Sequence, residues 1–410
     1  MNNLKDIQIL RDLAKKYLEI ASLSVMHERR ELWSQHNSLK PTRPLILATF
    51  GMFNVWCRDI FNDSKMECTD PFYREYERWF KMHIFHHSYN DDFVFEPWVS
   101  VGGVNIEKDE LLYGVDAEYQ FFGQGSTFTW DPPIKEWSDL EKIKPLKHKI
   151  NEKATQQKYE MLENAIGDII TVDRARGSAF RYFRADISTN IVRLRGLEQL
   201  MIDMYESPKE LHQMLSIMQK AILEAQDTAE KNGDYSLSNH ENQDSVYSEE
   251  LEWPKPNSGP RKRKDLWYYC AAQEFTLISP DMHDEFMLQY QLPIIEKWGL
   301  SAYGCCEDLT RKIDILRKIK NLRQIAVAPT ANVAKCAEQI GKDYVISWRP
   351  NPSDMICMEF NKPKIKQILR ENMATLKDTN FHIHLKDVET VQGEYNRFSE
   401  WVQLVRDEIE

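Results

Sequence analysis

Two adjacent cysteines, Cys305 and Cys306, stand directly before the carboxylates Glu307 and Asp308. A later strand-like run, FHIHLKD (Phe381–Asp387), carries His382, His384 and Lys386 at alternate positions, so all three share a face. A thiolate, a carboxylate and an imidazole can hold zinc with one position left open, and such a zinc binds and activates a small substrate. The donors available are Glu274, Cys305 or Cys306, and a histidine of the last strand, His384. Because neighbouring strand residues face opposite ways, at most one of the tandem thiols should point inward, unless the strand has already turned into loop. The plainer reading is two buried thiols and two hydrogen-bonded histidines. Other chemical signatures are missing: there is no GxSxG elbow, no HExxH and no GxGxxG loop after a strand. His83, His86 and His87 form a cluster in an aromatic helix-like run and read as packing, while His27, His36 and His148 lie among polar residues and read as exposed.

The elements that would position these groups form an α/β alternation. Leu4–Trp33 reads as helix, and 34–150 as mixed strand and loop rich in aromatics. Leu211, Leu215, Met218, Ile222 and Ala225 recur at spacings of four and three, the core stripe of a long helix. Strands are expected at Asp265–Glu274, Ser301–Cys306, Leu322–Ala328, Tyr344–Trp348 and Phe381–Leu385, separated by amphipathic helices, one of them opening on Ser279-Pro280 as N-cap and first residue. Leu45–Thr49, Phe93–Val99 and Ile169–Val172 supply three more strands. Eight parallel strands close a (β/α)8 TIM barrel, and the expected organisation is a single domain over 1–410, with an N-terminal helical extension at 1–44 and a barrel with insertions at 45–410. The rival is an open doubly wound sheet. In a barrel the site lies at the C-terminal strand ends. That rule selects Gln273 and Glu274, then Cys305, Cys306 and Glu307, then Arg349, Asn351 and Asp354, then Lys386 and Asp387, with Asn239 and His240 joining from a short preceding segment.

Bulk composition narrows the partners. A formal charge of −11 is a poor basis for neutralising nucleic-acid phosphates. The one basic run, Lys255–Lys264, is broken by Pro and Gly and reads as a solvated loop. The seven cysteines are odd in number and contain no CxxC, which argues against a disulfide framework. No apolar run is long enough to span a bilayer, and Met1–Arg11 has no apolar signal core, so a cytoplasmic location is expected.

Several segments, in order, resemble the uroporphyrinogen-decarboxylase-like superfamily. In Gln273–Gly299 a strand end leads to Ser279-Pro280, Phe286, Tyr290 and Pro293. YGCCEDL (Tyr303–Leu309) is similar to the strand that carries a His-x-Cys zinc motif in the corrinoid-linked methyltransferase branch. SWRPNPSDM (Ser347–Met355) is similar to the superfamily's Gly-Asn-x-Asp-Pro turn, through Asn351 and Pro352, and Arg30–Ile46 resembles the entry into the first strand of a divergent branch. The resemblance implies a barrel enzyme that passes a methyl group from a small methylated molecule to a corrinoid carried by a partner protein, with zinc at the strand ends and a homodimeric assembly. It implies Glu274, Tyr303 or Glu307 as proton donors, with Asn351 and Lys386 completing the catalytic group. Asn239, Gln273, Trp348 and Arg349 are the expected substrate contacts; Trp98, Trp267 and Trp348 are aromatic enough to wall an aryl ether or a methylammonium group, though their plainer reading is ordinary core packing. Two departures shape the expectation. LILATFGMF (Leu45–Phe53) lacks the arginine that grips porphyrinogen carboxylates, and neither Arg43 nor Arg58 replaces it. Tyr303 stands where the zinc-binding His would be and Lys386 about where the second Cys would be, leaving Cys305 as the matching thiol, with Cys306, His384, Glu274 or Glu307 to compensate. The alternatives are a decarboxylase or lyase of a smaller acidic substrate using Arg349, Lys386 and Asp387, a metal barrel of the xylose-isomerase type suggested by HIHLKD, and a non-catalytic ligand-binding barrel.

Overall fold

The computed structural model describes residues 2–50, 60–107, 111–122 and 128–409. Helices α1 (Asn2–Ala21) and α2 (Ser24–Asn37) lead into strand β1 (Ile46–Phe50). The strands that follow are β2 (Trp98–Gly102), β3 (Glu118–Phe121), β4 (Phe128–Asp131), β5 (Thr171–Ala175), β6 (Trp267–Cys270), β7 (Leu300–Tyr303), β8 (Leu322–Val327), β9 (Val345–Trp348) and β10 (Asn380–Val388). Six of them form one all-parallel sheet in the order β1-β10-β9-β8-β7-β6. β2 and β5 form a separate parallel pair, and β3 and β4 an antiparallel hairpin.

Of the eight parallel strands expected of a barrel, six form one parallel sheet and two a separate parallel pair, β2 falling at Trp98–Gly102 where Phe93–Val99 is expected, and no ladder closes a ring among the described residues. The reason lies at the two free edges of the six-stranded sheet. On β1, the Ile46 and Ala48 amides donate to the carboxylates of Asp92 and Asp91, at 2.8 and 2.9 Å. On β6, the Trp267 amide donates to His240 Nδ1 at 3.1 Å, and its carbonyl accepts from the Glu241 amide at 3.0 Å. Loop side chains and one loop amide therefore satisfy edge groups that ladders to β2 and β5 would otherwise use.

Strands β6, β7 and β9 are buried along their whole length, as befits a parallel sheet covered on both faces. Tyr268, Tyr303, Ile325, Val327, Ile346, Trp348, Ile383 and Leu385 pack into the core shared with the crossover helices. The long helix Pro208–Asn232 buries the stripe of Leu211, Leu215, Met218, Ile222 and Ala225 there, as its spacing predicts. The opposite, inner face carries Leu45 and Leu47 against Trp33, Trp267 and Ala302 against Val246, and Tyr269 and Cys305 against Tyr182. A segment running from Leu237 to Leu251 lies against this inner face and covers it. β2 and β5 pack through Val99, Val101 and Val172 with α1 and with the helix Pro71–His87 in a second core. Among the described residues no helix is long and apolar enough to cross a membrane.

The basic run differs from the solvated loop expected. Arg263 is buried and pairs with Glu230 at 2.9 Å, and Lys264 donates to the Glu296 carbonyl at 2.7 Å, so part of the run staples the neighbouring helix ends. His36 and His148 are also buried rather than exposed. His148 pairs with Asp234 at 2.8 Å, and His86 of the aromatic cluster pairs with Asp91 at 2.9 Å.

Candidate active site

The centre of the inner face is a carboxylate. Asp244 comes from the covering segment and its side chain is fully buried. It faces His382 Nε2 at 3.1 Å, His384 Nδ1, the Gln324 side-chain amide, and Arg349 Nη2 at 3.9 Å. Burial alone would raise this carboxyl. The two flanking histidines and their hydrogen bonds outweigh it and hold Asp244 well below the usual carboxylate range. An ionised carboxylate only accepts, so the facing nitrogens of both histidines carry the hydrogens. His384 Nε2 is then left to accept from the Thr49 hydroxyl at 2.9 Å. His382 Nδ1 accepts from His36 Nε2 at 3.1 Å, and His36 Nδ1 lies 3.2 Å from the Thr42 hydroxyl. Burial depresses both His384 and His36, and the buried Arg349 guanidinium, raised by Asp244, adds a fixed positive charge to the cluster.

The tandem thiols sit beside this centre. β7 ends at Tyr303, and Gly304 turns the chain with a φ of +105°. A Cβ on Gly304 would also lie 2.8 Å from Leu309 Cδ1, so only glycine fits the turn. Cys305 and Cys306 therefore lie past the strand, and strict alternation no longer separates them: their sulfurs are 3.4 Å apart. Cys305 is buried and Cys306 exposed. Lys386 Nζ, at the end of β10, lies 3.6 Å from Cys305 Sγ, 4.0 Å from Cys306 Sγ and 2.7 Å from Asp387. Gln243 donates to Cys305 Sγ at 3.7 Å, and Arg349 Nη1 donates to the Cys305 carbonyl at 2.8 Å. Hydrogen bonding from Cys306, with help from the Lys386 and Arg349 charges, outweighs burial and brings Cys305 down to about 5. The same bond pushes Cys306 up. In this pair the Cys305 sulfur is the one favoured as thiolate, with Cys306 as its donor.

Glu307 holds this turn. One oxygen accepts from the Cys305 amide at 2.7 Å and the other from the Ala272 amide at 2.8 Å, joining the ends of β6 and β7. Glu307→Ala leaves both buried amides unpaired and is expected to lower unfolding free energy by about 2–4 kcal/mol. Glu307→Gln retains one acceptor and should lose about half as much, a difference that urea unfolding midpoints resolve.

Of the other strand-end candidates, several are employed elsewhere. Tyr303 faces the crossover helices, its hydroxyl 2.8 Å from Gln291 Oε1 and 2.9 Å from His283 Nε2. Trp348 is packed in the same core. Glu274 accepts from Ser188 and Thr189 at 2.6 and 2.9 Å, and Gln273 lies 3.4 Å from the Thr189 hydroxyl. Asn239 accepts from the Ser236 amide at 2.9 Å, and the exposed Asn351 from the Ser353 amide at 3.0 Å, so both cap turns. Cys305, Cys306, Arg349, Lys386 and His384 are the expected residues that do meet. The zinc donors are not gathered in this arrangement: both ring nitrogens of His384 are hydrogen-bonded within the protein and Glu274 is turned to Ser188. Among the described residues no group of three His, Cys, Asp or Glu is set to hold a metal ion.

Asp244 was not singled out by the sequence, nor was the cavity beside it. The cavity measures about 230 Å³ and is walled by Trp33, Phe93, Trp98, Tyr182 and Tyr247, with His240 and Asp244 at its polar side. His240 uses Nδ1 to accept from the Trp267 amide and burial keeps it neutral, down to about 4, so Nε2 carries its hydrogen. That nitrogen is turned to the Glu252 carbonyl, whereas Glu96 Oε1 and Ser245 Oγ are buried without a protein partner among the described residues, which marks the cavity as a place for a polar guest.

No family model matches the chain, and no curated protein does. Among solved structures it is similar to a methyltransferase from Methanosarcina mazei, at 11% sequence identity and a TM-score of 0.49, over 92% of this chain and 97% of that one.

Proposed function

We propose that the chain is a methyltransferase-like enzyme that takes a methyl group from a small methylated molecule through the Cys305 thiolate. The observation that carries this reading is the place of the Cys305 sulfur: 3.6 Å from the Lys386 ammonium, which with the Cys306 hydrogen bond favours its thiolate, and packed on Tyr182, which also walls the inner cavity. A thiolate is the strongest nucleophile among the side chains present at neutral pH. In the displacement the sulfur attacks the methyl carbon and an S–C bond forms as the C–O or C–N bond breaks. The leaving heteroatom takes the electron pair and a proton from Lys386. A corrinoid on a partner protein would supply the stronger nucleophile that accepts the methyl group, with Cys305 departing again as thiolate. No step passes through zinc, since its donors are not gathered.

The lyase reading has less support. A carboxylate substrate needs a free cation, whereas Arg349 is committed to Asp244 and to the Cys305 carbonyl, and Lys386 to Asp387. Methyl transfer to free cob(I)alamin, followed in the visible spectrum over a panel of methoxy-aromatics and methylamines, tests the proposal. Cys305→Ser is expected to lower the rate at least about a hundredfold. A rate unchanged in that variant, or no transfer from any donor, removes the basis for it.

A further inference from the structure

We propose that Cys305 and Cys306 form an oxidation site at which a hydroperoxide converts the tandem thiols into a disulfide between neighbouring residues. Three observations meet here. The two sulfurs are 3.4 Å apart, so closing a bond of about 2.05 Å requires an approach of only about 1.4 Å. Cys306 is exposed, so an oxidant reaches the pair, whereas Cys68, Cys270, Cys336 and Cys357 are buried. Lys386 lies within 4.0 Å of both sulfurs and places a positive charge where a departing oxygen anion forms. The turn at Gly304 is what brings both side chains to one side.

In the first step the Cys305 sulfur attacks one peroxide oxygen and the O–O bond breaks. Sulfur is oxidised to a sulfenic acid, and the other oxygen leaves as hydroxide or alkoxide, taking a proton from Lys386. In the second step Cys306 gives up its proton and attacks the sulfenic sulfur. The S–S bond forms, and the hydroxyl departs with that proton as water. Overall, two thiols and one hydroperoxide give one disulfide, one alcohol or water, and one further water. The ring formed has eight members and is strained, so a small thiol reductant reopens it readily. The inference stands apart from methyl transfer: it needs no substrate and is read without any activity. If methyl transfer also holds, the oxidised pair is its reversible off state, because Cys305 then has no free sulfur.

The test uses the full native chain. It is exposed to one equivalent of hydrogen peroxide, its remaining thiols are blocked with iodoacetamide, and the tryptic peptide 298–311 is weighed. The expected product is a loss of about 2 Da with neither cysteine alkylated, reversed by dithiothreitol. In Cys306→Ser the same treatment should leave a sulfenic acid on Cys305 that dimedone captures. Should that peptide in the unaltered chain instead carry two alkylated thiols, a sulfinic acid on Cys305, or a link to another cysteine, the proposal is overturned.

Discussion

Asp244→Asn is expected to destabilise the chain by about 3–5 kcal/mol, the cost of breaking a buried ion pair from one side. Arg349 keeps its charge after the substitution but loses the one carboxylate paired with it among the described residues, at 3.9 Å. The two histidines and Gln324 now donate toward a group with one acceptor oxygen in place of two, and the new amide hydrogens point at their own donors. Acid should reveal the same network in the unaltered chain. Asp244 titrates lower folded than unfolded, so its contribution is complete above the ordinary carboxylate range and is lost only as the pH falls through its depressed folded value. His384 and His36 are depressed by burial, so the unfolded chain takes up their protons first, and stability declines as the pH drops below about 6.5. Urea unfolding of both proteins between neutral and acid pH measures this. A loss under about 1 kcal/mol at neutral pH would mean that Arg349 finds another counter-charge and that Asp244 does not organise the inner face.

How much of this was visible beforehand follows from the kind of signal each residue gives. β6 to β10 and their helices alternate with regular period, and the strand-end rule applied to that alternation reaches Cys305, Cys306, Arg349 and Lys386 with no alignment. The same rule fails for Tyr303 and Trp348 because their strands are buried on both faces, so hydrophobicity does not say which residues face the helices. Parity would have helped: Arg349 bonds inward, which sends Trp348 outward. Asp244 lies in HENQDS (His240–Ser245), a polar stretch with no period at all. The signal for it was indirect. Gln324, His382 and His384 on strands otherwise apolar, and Arg349 just past the end of β9, are buried polar residues, and buried donors of this kind require a buried anion. The open edges were hidden for a related reason: Asp91, Asp92 and His240 satisfy β1 and β6 from loops, where composition gives no register.

Lys386→Met carries the other large expected effect, on the reactivity of Cys305. In the unaltered chain alkylation of that sulfur follows its thiolate fraction, rising with pH through about 5 and level by neutrality. Removing an ammonium 3.6 Å from the sulfur should move the midpoint up by about 1–3 pH units, the range for an opposite charge at this distance. Asp387 adds to the shift, because its carboxylate lies 3.7 Å from Cys306 Sγ and loses its own cation. At pH 6 the alkylation rate should therefore fall by about twofold for a shift of one unit, about tenfold for two and nearly a hundredfold for three, with little change at pH 9. Lys386→Arg should restore most of the low midpoint, which separates charge from packing. The rate profile of iodoacetamide labelling, read on the peptide 298–311, reports this directly. A midpoint that stays near 5 in Lys386→Met would assign the ionisation to Cys306, Arg349 and Tyr269. Lys386 would then have no part in activating the sulfur, and the proton it is proposed to give the leaving group would have to come from another donor beside the thiolate, with Cys306 at 3.4 Å the first candidate.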